Sequence, residues 1–138
     1  MEQSDYILRE IQKIGEMLLK IRKKIAGAEI SNSQPFDFQL EEVKNILLDT
    51  IGLNLDEFLL LSEKETKNYI AGNNGLNNNN TELLGDFCKT MGEKTIDIKS
   101  QLYLKKALEL FELCNFQDRT YSIGREYKIS SLKSILNN

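Results

Sequence analysis

The stretch Ser100–Leu110, S-Q-L-Y-L-K-K-A-L-E-L, indicates how this chain folds. Its large apolar residues recur at helical spacing, and two small residues, Ser100 and Ala107, stand among them. This spacing predicts a helix over about residues 95–114. Its inward-facing residues are expected to be Leu104, Ala107, Leu108 and Phe111.

The preceding segment predicts a second helix, which would pair with the first. Its apolar residues fall on one face and are Leu83, Leu84, Phe87, Cys88 and Met91. Gly92 is expected to end the helix. The pair resembles the antiparallel hairpin of a tetratricopeptide repeat, with Ser100, Leu104 and Ala107 at the small, large and small positions. The resemblance implies that Gly85 is the small residue where the two helices cross. The resemblance implies a binding scaffold whose partner is not determined by its packing residues.

A wider resemblance links most of the chain to a small, uncharacterised bacterial family of all-helical proteins. It rests on four segments: D-Y-I-L-R-E-I-Q-K-I-G-E-M-L (5–18), E-L-L-G-D-F (82–87), Y-L-K-K-A-L-E-L-F-E-L (103–113) and R-T-Y-S-I-G-R-E-Y-K-I-S-S-L (119–132). The resemblance implies a tetratricopeptide-like all-α fold, and it brings no assigned activity and no catalytic residue.

The N-terminal segment predicts a long amphipathic helix. Its apolar stripe recurs in steps of four and three and consists of Ile7, Ile11, Ile14, Leu18, Ile21 and Ile25. Ser4 and Asp5 suit its start and Gly27 its end. Further apolar residues widen the surface, namely Tyr6, Leu8, Met17 and Leu19. Other helices are therefore expected to pack against this helix on more than one side, or else it offers a face to a partner.

Three further helices are predicted before residue 72. After a loop at 31–35, a second helix spans about 38–50 and ends at Gly52. Two capping boxes, Asn54–Glu57 and Ser62–Glu65, then predict two short helices that reach Leu60 and Ile70. One continuous kinked helix produces a similar pattern and is the alternative.

Asparagine and glycine dominate the segment 71–80, A-G-N-N-G-L-N-N-N-N. Both residues favour turns, so residues 73–80 are predicted to form a mobile loop. This loop would join an N-terminal half (1–72) to a C-terminal half (81–138) within a single domain of 138 residues. A last helix is expected from Asp118 or Thr120 to Leu136. The predicted fold is all-α: an irregular bundle of about six helices, with the tetratricopeptide-like hairpin in the C-terminal half.

Composition excludes several classes of function. The chain has 18 basic and 21 acidic side chains, which gives a net charge of -3 and no overall basic footprint for nucleic acid. It contains no histidine, the commonest general base and metal ligand. Cys88 and Cys114 are best interpreted as small buried residues in a reducing cytosol. The longest apolar run, Phe58–Leu61, is too short to span a membrane. We therefore expect a cytoplasmic protein with no metal and no cofactor, and with neither nucleic acid nor membrane as a partner.

The candidate partner-binding surface lies near the C-terminus. It comprises Arg119, Tyr121, Arg125, Tyr127 and Lys128, because arginine and tyrosine are favoured at interface hot spots. Gly124 interrupts this helix at a cost of about 1 kcal/mol relative to alanine, which suggests close helix packing or a ligand there. Alternatively, the two tyrosines are core-edge residues with solvated hydroxyl groups.

Other charged clusters are explained by helix ends. Asp56, Glu57, Glu63 and Glu65 suit first turns, and Lys20, Arg22, Lys23 and Lys24 suit a last turn. No catalytic residue is assigned. The leading hypothesis is an interaction module that binds a protein or peptide through a groove between helical hairpins. The alternatives are a self-associating structural protein that dimerises through the first helix, and a small-molecule sensor or enzyme that works without histidine.

Overall fold

A computed structural model describes residues 2–27, 36–119 and 122–137. Within these ranges the chain forms seven helices and no strand: α1 (Glu2–Gly27), α2 (Phe36–Ile51), α3 (Leu55–Leu60), α4 (Glu63–Ala71), α5 (Asn78–Lys94), α6 (Ile98–Asp118) and α7 (Ile123–Leu136). The predicted all-α bundle is confirmed. The predicted loop at 31–35 lies outside the described residues.

The centre of the bundle is an antiparallel pair, α5 and α6. Gly85 lies against the ring of Phe111, and Gly92 lies against Leu104. The two pairs are seven residues apart on each helix and run in opposite directions, which fixes the antiparallel register. A Cβ atom would lie 2.7 Å from the Phe111 ring at Gly85, and 2.5 Å from Leu104 at Gly92. The absence of a side chain therefore allows the close approach at both positions.

Gly92 was predicted to end its helix, and this is wrong. α5 continues to Lys94, and the Thr95 hydroxyl donates to the Met91 carbonyl at 2.7 Å. Gly92 is a packing residue because Leu104 occupies the space of its missing side chain. The Ser100 hydroxyl donates to the Gly92 carbonyl at 2.6 Å, which joins the two helices beside their connecting loop.

The long helix α1 packs against α5 and against α2, so it is held from more than one side as expected. The C-terminal part of its predicted stripe, Ile14, Leu18, Ile21 and Ile25, is buried. Ile7 and Ile11 are half-buried. On α2, Val43 and Leu47 are buried. The start of α1 was predicted at Ser4 and Asp5, but the helix already begins at Glu2.

α3 and α4 are two separate short helices, as the capping boxes predicted. The Asn54 side chain accepts a hydrogen bond from the Glu57 backbone at 3.2 Å. The Ser62 hydroxyl accepts from the Glu65 backbone at 3.1 Å, and the Glu65 carboxylate accepts from the Ser62 backbone at 3.0 Å. Leu61 and Ser62 have extended backbones, which excludes one continuous kinked helix.

The asparagine-rich loop predicted over 73–80 is shorter than expected. α5 begins at Asn78, and the side chain of Asn77 caps it by accepting from the Asn80 backbone at 2.9 Å. Asparagine is a strong N-cap residue, so the composition that suggested a loop also supplies a helix start.

Asn80 is buried where α5 meets α1. Its side-chain amide donates to the carbonyls of Ile11 and Gly75, both at 2.8 Å. Gly15 on α1 leaves space for this amide, because a Cβ atom there would lie 2.9 Å from Asn80 Oδ1. The end of the asparagine tract therefore attaches α5 to the first helix.

Candidate functional site

Two residues of the predicted binding surface contact α5, and of these Arg125 is buried and Lys128 half-buried. Arg125 is buried, and its Nε and Nη2 atoms donate to Glu82 Oε1 at 2.9 and 2.8 Å. The Lys128 ammonium donates to Asp86 Oδ1 at 2.7 Å and to Glu82 Oε2 at 3.2 Å. These ion pairs connect α7 to α5, so both cations stabilise the fold.

The charges of this cluster favour each other's ionised forms. Burial opposes ionisation of Glu82, but the hydrogen bonds and charges of Arg125 and Lys128 outweigh it and lower the pKa of the carboxyl. Burial likewise opposes the charged form of Lys128, yet Asp86 and Glu82 raise the pKa of its ammonium group. Glu82 and Lys128 are therefore both ionised at neutral pH.

The other two described residues of the predicted surface are exposed to solvent. Tyr127 is exposed, whereas Arg125 and Lys128 contact α5. Arg119 is exposed and ends α6 in a left-handed conformation with φ 56°. Tyr121 lies outside the described residues. The structure thus divides the described members of the predicted surface between the interior and the solvent.

Gly124 was expected to mark a close packing contact or a ligand's approach. A Cβ atom built at Gly124 has no atom within 4 Å. The packing interpretation is therefore wrong, since the described structure leaves open space at this position.

A groove between α4 and α6 brings together exposed and buried side chains, of which only Glu63 was singled out from the sequence, as a residue of a helix first turn. We call it the α4–α6 groove, and its volume is about 560 Å³. Its lining residues are Glu63, Lys64, Thr66 and Lys67 from α4, and Glu109, Glu112, Leu113 and Phe116 from α6. Phe116 is 70% exposed, and the Lys67 ammonium lies 4.6 Å from the centre of its ring.

One wall of this groove is fixed from below by Lys106. This side chain is only 1% exposed, and its ammonium donates to the Leu61 carbonyl at 2.8 Å. It also donates to the Thr66 hydroxyl at 2.5 Å and to Glu109 Oε1 at 2.8 Å. Lys106 therefore connects α6 to the start of α4. The sequence signal was its spacing, because Lys106 lies between the inward positions Tyr103 and Leu110.

The two walls of the groove differ in net charge, because Glu63 on the α4 wall is outnumbered by two lysines. Lys64 and Lys67 lie on α4, while Glu112 lies on α6. Glu109 is already paired with Lys106, so its charge is largely satisfied. The open arrangement combines an apolar end at Leu113 and Phe116 with charged rims, which suits binding of a segment of mixed character.

The cysteines do not form a reactive centre. Cys88 and Cys114 are buried free thiols, and burial raises the pKa of each to about 12. A thiol with so high a pKa is a weak nucleophile at neutral pH. In the part of the chain that the structure describes, no group of three potential ligands is placed to hold a metal ion.

The helices of the described ranges include none with the length and hydropathy that a membrane crossing requires. Comparison of the chain with protein-family models, with curated proteins and with solved structures found no match.

Proposed function

We propose that this protein is a helical interaction module that binds a peptide segment of a partner protein in the α4–α6 groove. The observation that carries the proposal is Phe116, a large aromatic side chain exposed on the rim of a groove with fixed walls. Aromatic residues in such positions commonly contribute much of the binding free energy. The tetratricopeptide-like character of the α5–α6 hairpin and a cytoplasmic location belong to the same proposal.

A groove with rigid walls favours binding, because fewer of its side chains lose conformational freedom when the partner binds. The Ser62–Glu65 capping box sets the start of α4, and Lys106 holds that start against α6. The Lys67 ammonium restricts the Phe116 ring from one side through a cation–π contact. The groove is thus pre-formed before any partner binds.

The charges of the groove define the partner's chemistry. An apolar side chain of the partner would rest on Leu113 and Phe116. An acidic residue beside it would pair with Lys64, and a basic residue on the other side would pair with Glu112. The expected ligand is therefore a short segment with one apolar residue between an acid and a base.

The experiment compares capture of binding proteins by the full chain, by Phe116→Ala and by Ile96→Ala. Ile96 is 100% exposed and lies outside the groove, so it is a matched control for removing an exposed apolar side chain. A segment mapped in the captured protein would then be titrated against all three chains. We expect Phe116→Ala to weaken its binding by about tenfold or more, and Ile96→Ala to have little effect.

Two results would contradict the proposal. One is equal affinity of the wild-type chain and Phe116→Ala for the mapped segment. The other is the absence of any cross-link to that segment when a photoreactive residue replaces Lys64 in the groove. Circular dichroism of the Phe116→Ala and Ile96→Ala variants should show intact helices, since both side chains are exposed.

A further inference from the structure

A second groove lies between α1 and α2, away from the α4–α6 groove. Its volume is about 520 Å³, and we call it the α1–α2 groove. It is lined by Lys13, Glu16, Met17, Lys20, Ile21 and Lys24 from α1, and by Ile46 and Thr50 from α2. None of these residues lines the first groove, so a ligand here would be independent of the function proposed above.

The floor of the α1–α2 groove is apolar and recessed. Met17 is 8% exposed and Ile21 is 1% exposed, and Ile46 of α2 is half-buried beside them. The flexible methionine side chain can adapt to different apolar partners. A flat membrane surface could not reach a floor so deeply covered, whereas side chains that project from a helix could.

The α1 rim of the groove is basic. Lys13, Lys20 and Lys24 follow one another at intervals of seven and four residues, and this row is about 16 Å long on an α-helix. Lys24 forms an ion pair with Glu42 of α2. Lys13 and Lys20 are exposed and make no ion pair or side-chain hydrogen bond with the residues that the structure describes.

The only acid among the eight lining residues is Glu16, whose carboxylate accepts a hydrogen bond from Gln12 at 3.3 Å. A chain of net charge -3 thus presents two unpaired ammonium groups beside an apolar cleft. From the sequence, Lys20 and Lys24 were assigned to a helix end, but Lys13 of the same row lies in the middle of α1.

We propose that the α1–α2 groove binds an acidic amphipathic helix of a partner protein. Apolar residues on one face of such a helix would enter the cleft over Met17, Ile21 and Ile46. Acidic residues at intervals of seven and four would lie along the row of lysines, because residues with that spacing share one helix face. Apolar shape and charge together specify this partner and disfavour basic or uncharged helices.

The test uses a fluorescent peptide of about 18 residues, long enough to form a helix on binding. It has leucine on one face and glutamate in a neighbouring row, and its anisotropy is measured as the full chain is added. The variant Lys13→Glu with Lys20→Glu reverses the two unpaired charges. The control, Lys23→Glu with Lys105→Glu, changes the net charge equally at exposed lysines outside the groove.

We expect the groove variant to bind the peptide about tenfold more weakly than the control variant. A second peptide, with the same leucine face and lysine in place of glutamate, should bind the wild-type chain weakly. Phe116→Ala should leave the affinity for the acidic peptide unchanged, which separates this test from that of the α4–α6 groove.

Equal binding by the groove and control variants would overturn the proposal, as would equal binding of the two peptides. Vesicles of phosphatidylglycerol and phosphatidylcholine test the lipid alternative. If they bind the wild-type chain and lose that binding in the groove variant while the acidic peptide does not bind, the ligand is an anionic lipid surface. A second copy of this chain as the occupant would appear as a dimer in sedimentation that the groove variant abolishes.

Discussion

Buried polar side chains are the residues that the sequence pattern identified least well. Lys106, Asn80 and Arg125 all occupy inward positions and all join helices that are far apart in sequence. Periodicity marks such a position as inward, but it does not name the carbonyl or carboxylate that will satisfy a polar group there. That information arises only from the tertiary arrangement, so a buried lysine looks like an exception to the pattern until its partners are known.

Lys106 offers a direct comparison with its neighbour in the sequence. Lys106→Met should lower the free energy of unfolding by about 2–3 kcal/mol, because the Leu61 carbonyl, the Thr66 hydroxyl and Glu109 lose a shared donor. Lys105→Met, at an exposed position, should change it by less than about 0.5 kcal/mol. Urea denaturation measures both, and an equal effect of the two substitutions would contradict the assigned role of Lys106.

Two glycines should respond in opposite directions to alanine. Gly124→Ala should stabilise the protein by about 0.5 kcal/mol, since the added methyl group meets open space and the unfolded chain loses freedom. Gly85→Ala should destabilise it by about 1–2 kcal/mol, because the methyl group would overlap the Phe111 ring. Thermal unfolding of the two variants under one buffer condition tests both signs.

The ion pairs of Glu82 with Arg125 and Lys128 make the free energy of unfolding depend on pH in the acid range. The pKa of Glu82 is lower in the folded protein than its ordinary value of 4.5, so the unfolded state binds a proton first as the pH falls. The stabilisation is complete above that ordinary value and is lost as the pH falls through the folded pKa. Urea midpoints between about pH 6 and about pH 3 should therefore fall more steeply for the wild-type chain than for Glu82→Gln. Parallel slopes would show that Glu82 does not contribute.

At the scale of helices, the sequence predicted those features that depend on residues close together in the chain. The N-cap of Asn54 and the capping box of Ser62 fixed the starts of α3 and α4, because each involves residues only three positions apart. The stripe of α1 predicted four of its buried residues. The start of α5 was missed because asparagine serves turns and helix caps equally well, and the choice depends on the distant contact of Asn80 with Ile11.

The attachment of α5 to α1 can be tested within the asparagine tract itself. Asn80→Ala should cost about 1–3 kcal/mol, because the Ile11 and Gly75 carbonyls lose their shared side-chain donor in a buried position. Asn79→Ala, one residue earlier and exposed, should be neutral or slightly stabilising since alanine favours the helix. Chemical denaturation distinguishes them. Similar losses for both would mean that α5 gains little from its contact with α1.

At the scale of the whole molecule, the positions of the two candidate grooves could not be predicted from the sequence. The predicted surface on the last helix was chosen by composition, but composition does not reveal that Arg125 contacts Glu82 across α5 and α7. The α4–α6 groove depends on how a short helix rests on α6, which no local spacing determines. Binding through a groove between helical hairpins stays a prediction, and the side chains that line the α4–α6 groove had to come from the structure.

The packing of α1 leads us to expect a monomer. A dimer through this helix was the main alternative, yet its buried stripe already packs against α2 and α5. The exposed residues Leu8 and Leu19 share one face, but Gln12 and Gly15 lie between them on that face. Such a surface falls short of the extensive apolar contact that stable homodimers bury. We therefore expect sedimentation velocity at tens of micromolar to give a monomer of 15.9 kDa. A dimer would contradict this expectation. If that dimer dissociates when Leu8 and Leu19 are both replaced by glutamate, the chain associates with itself through α1.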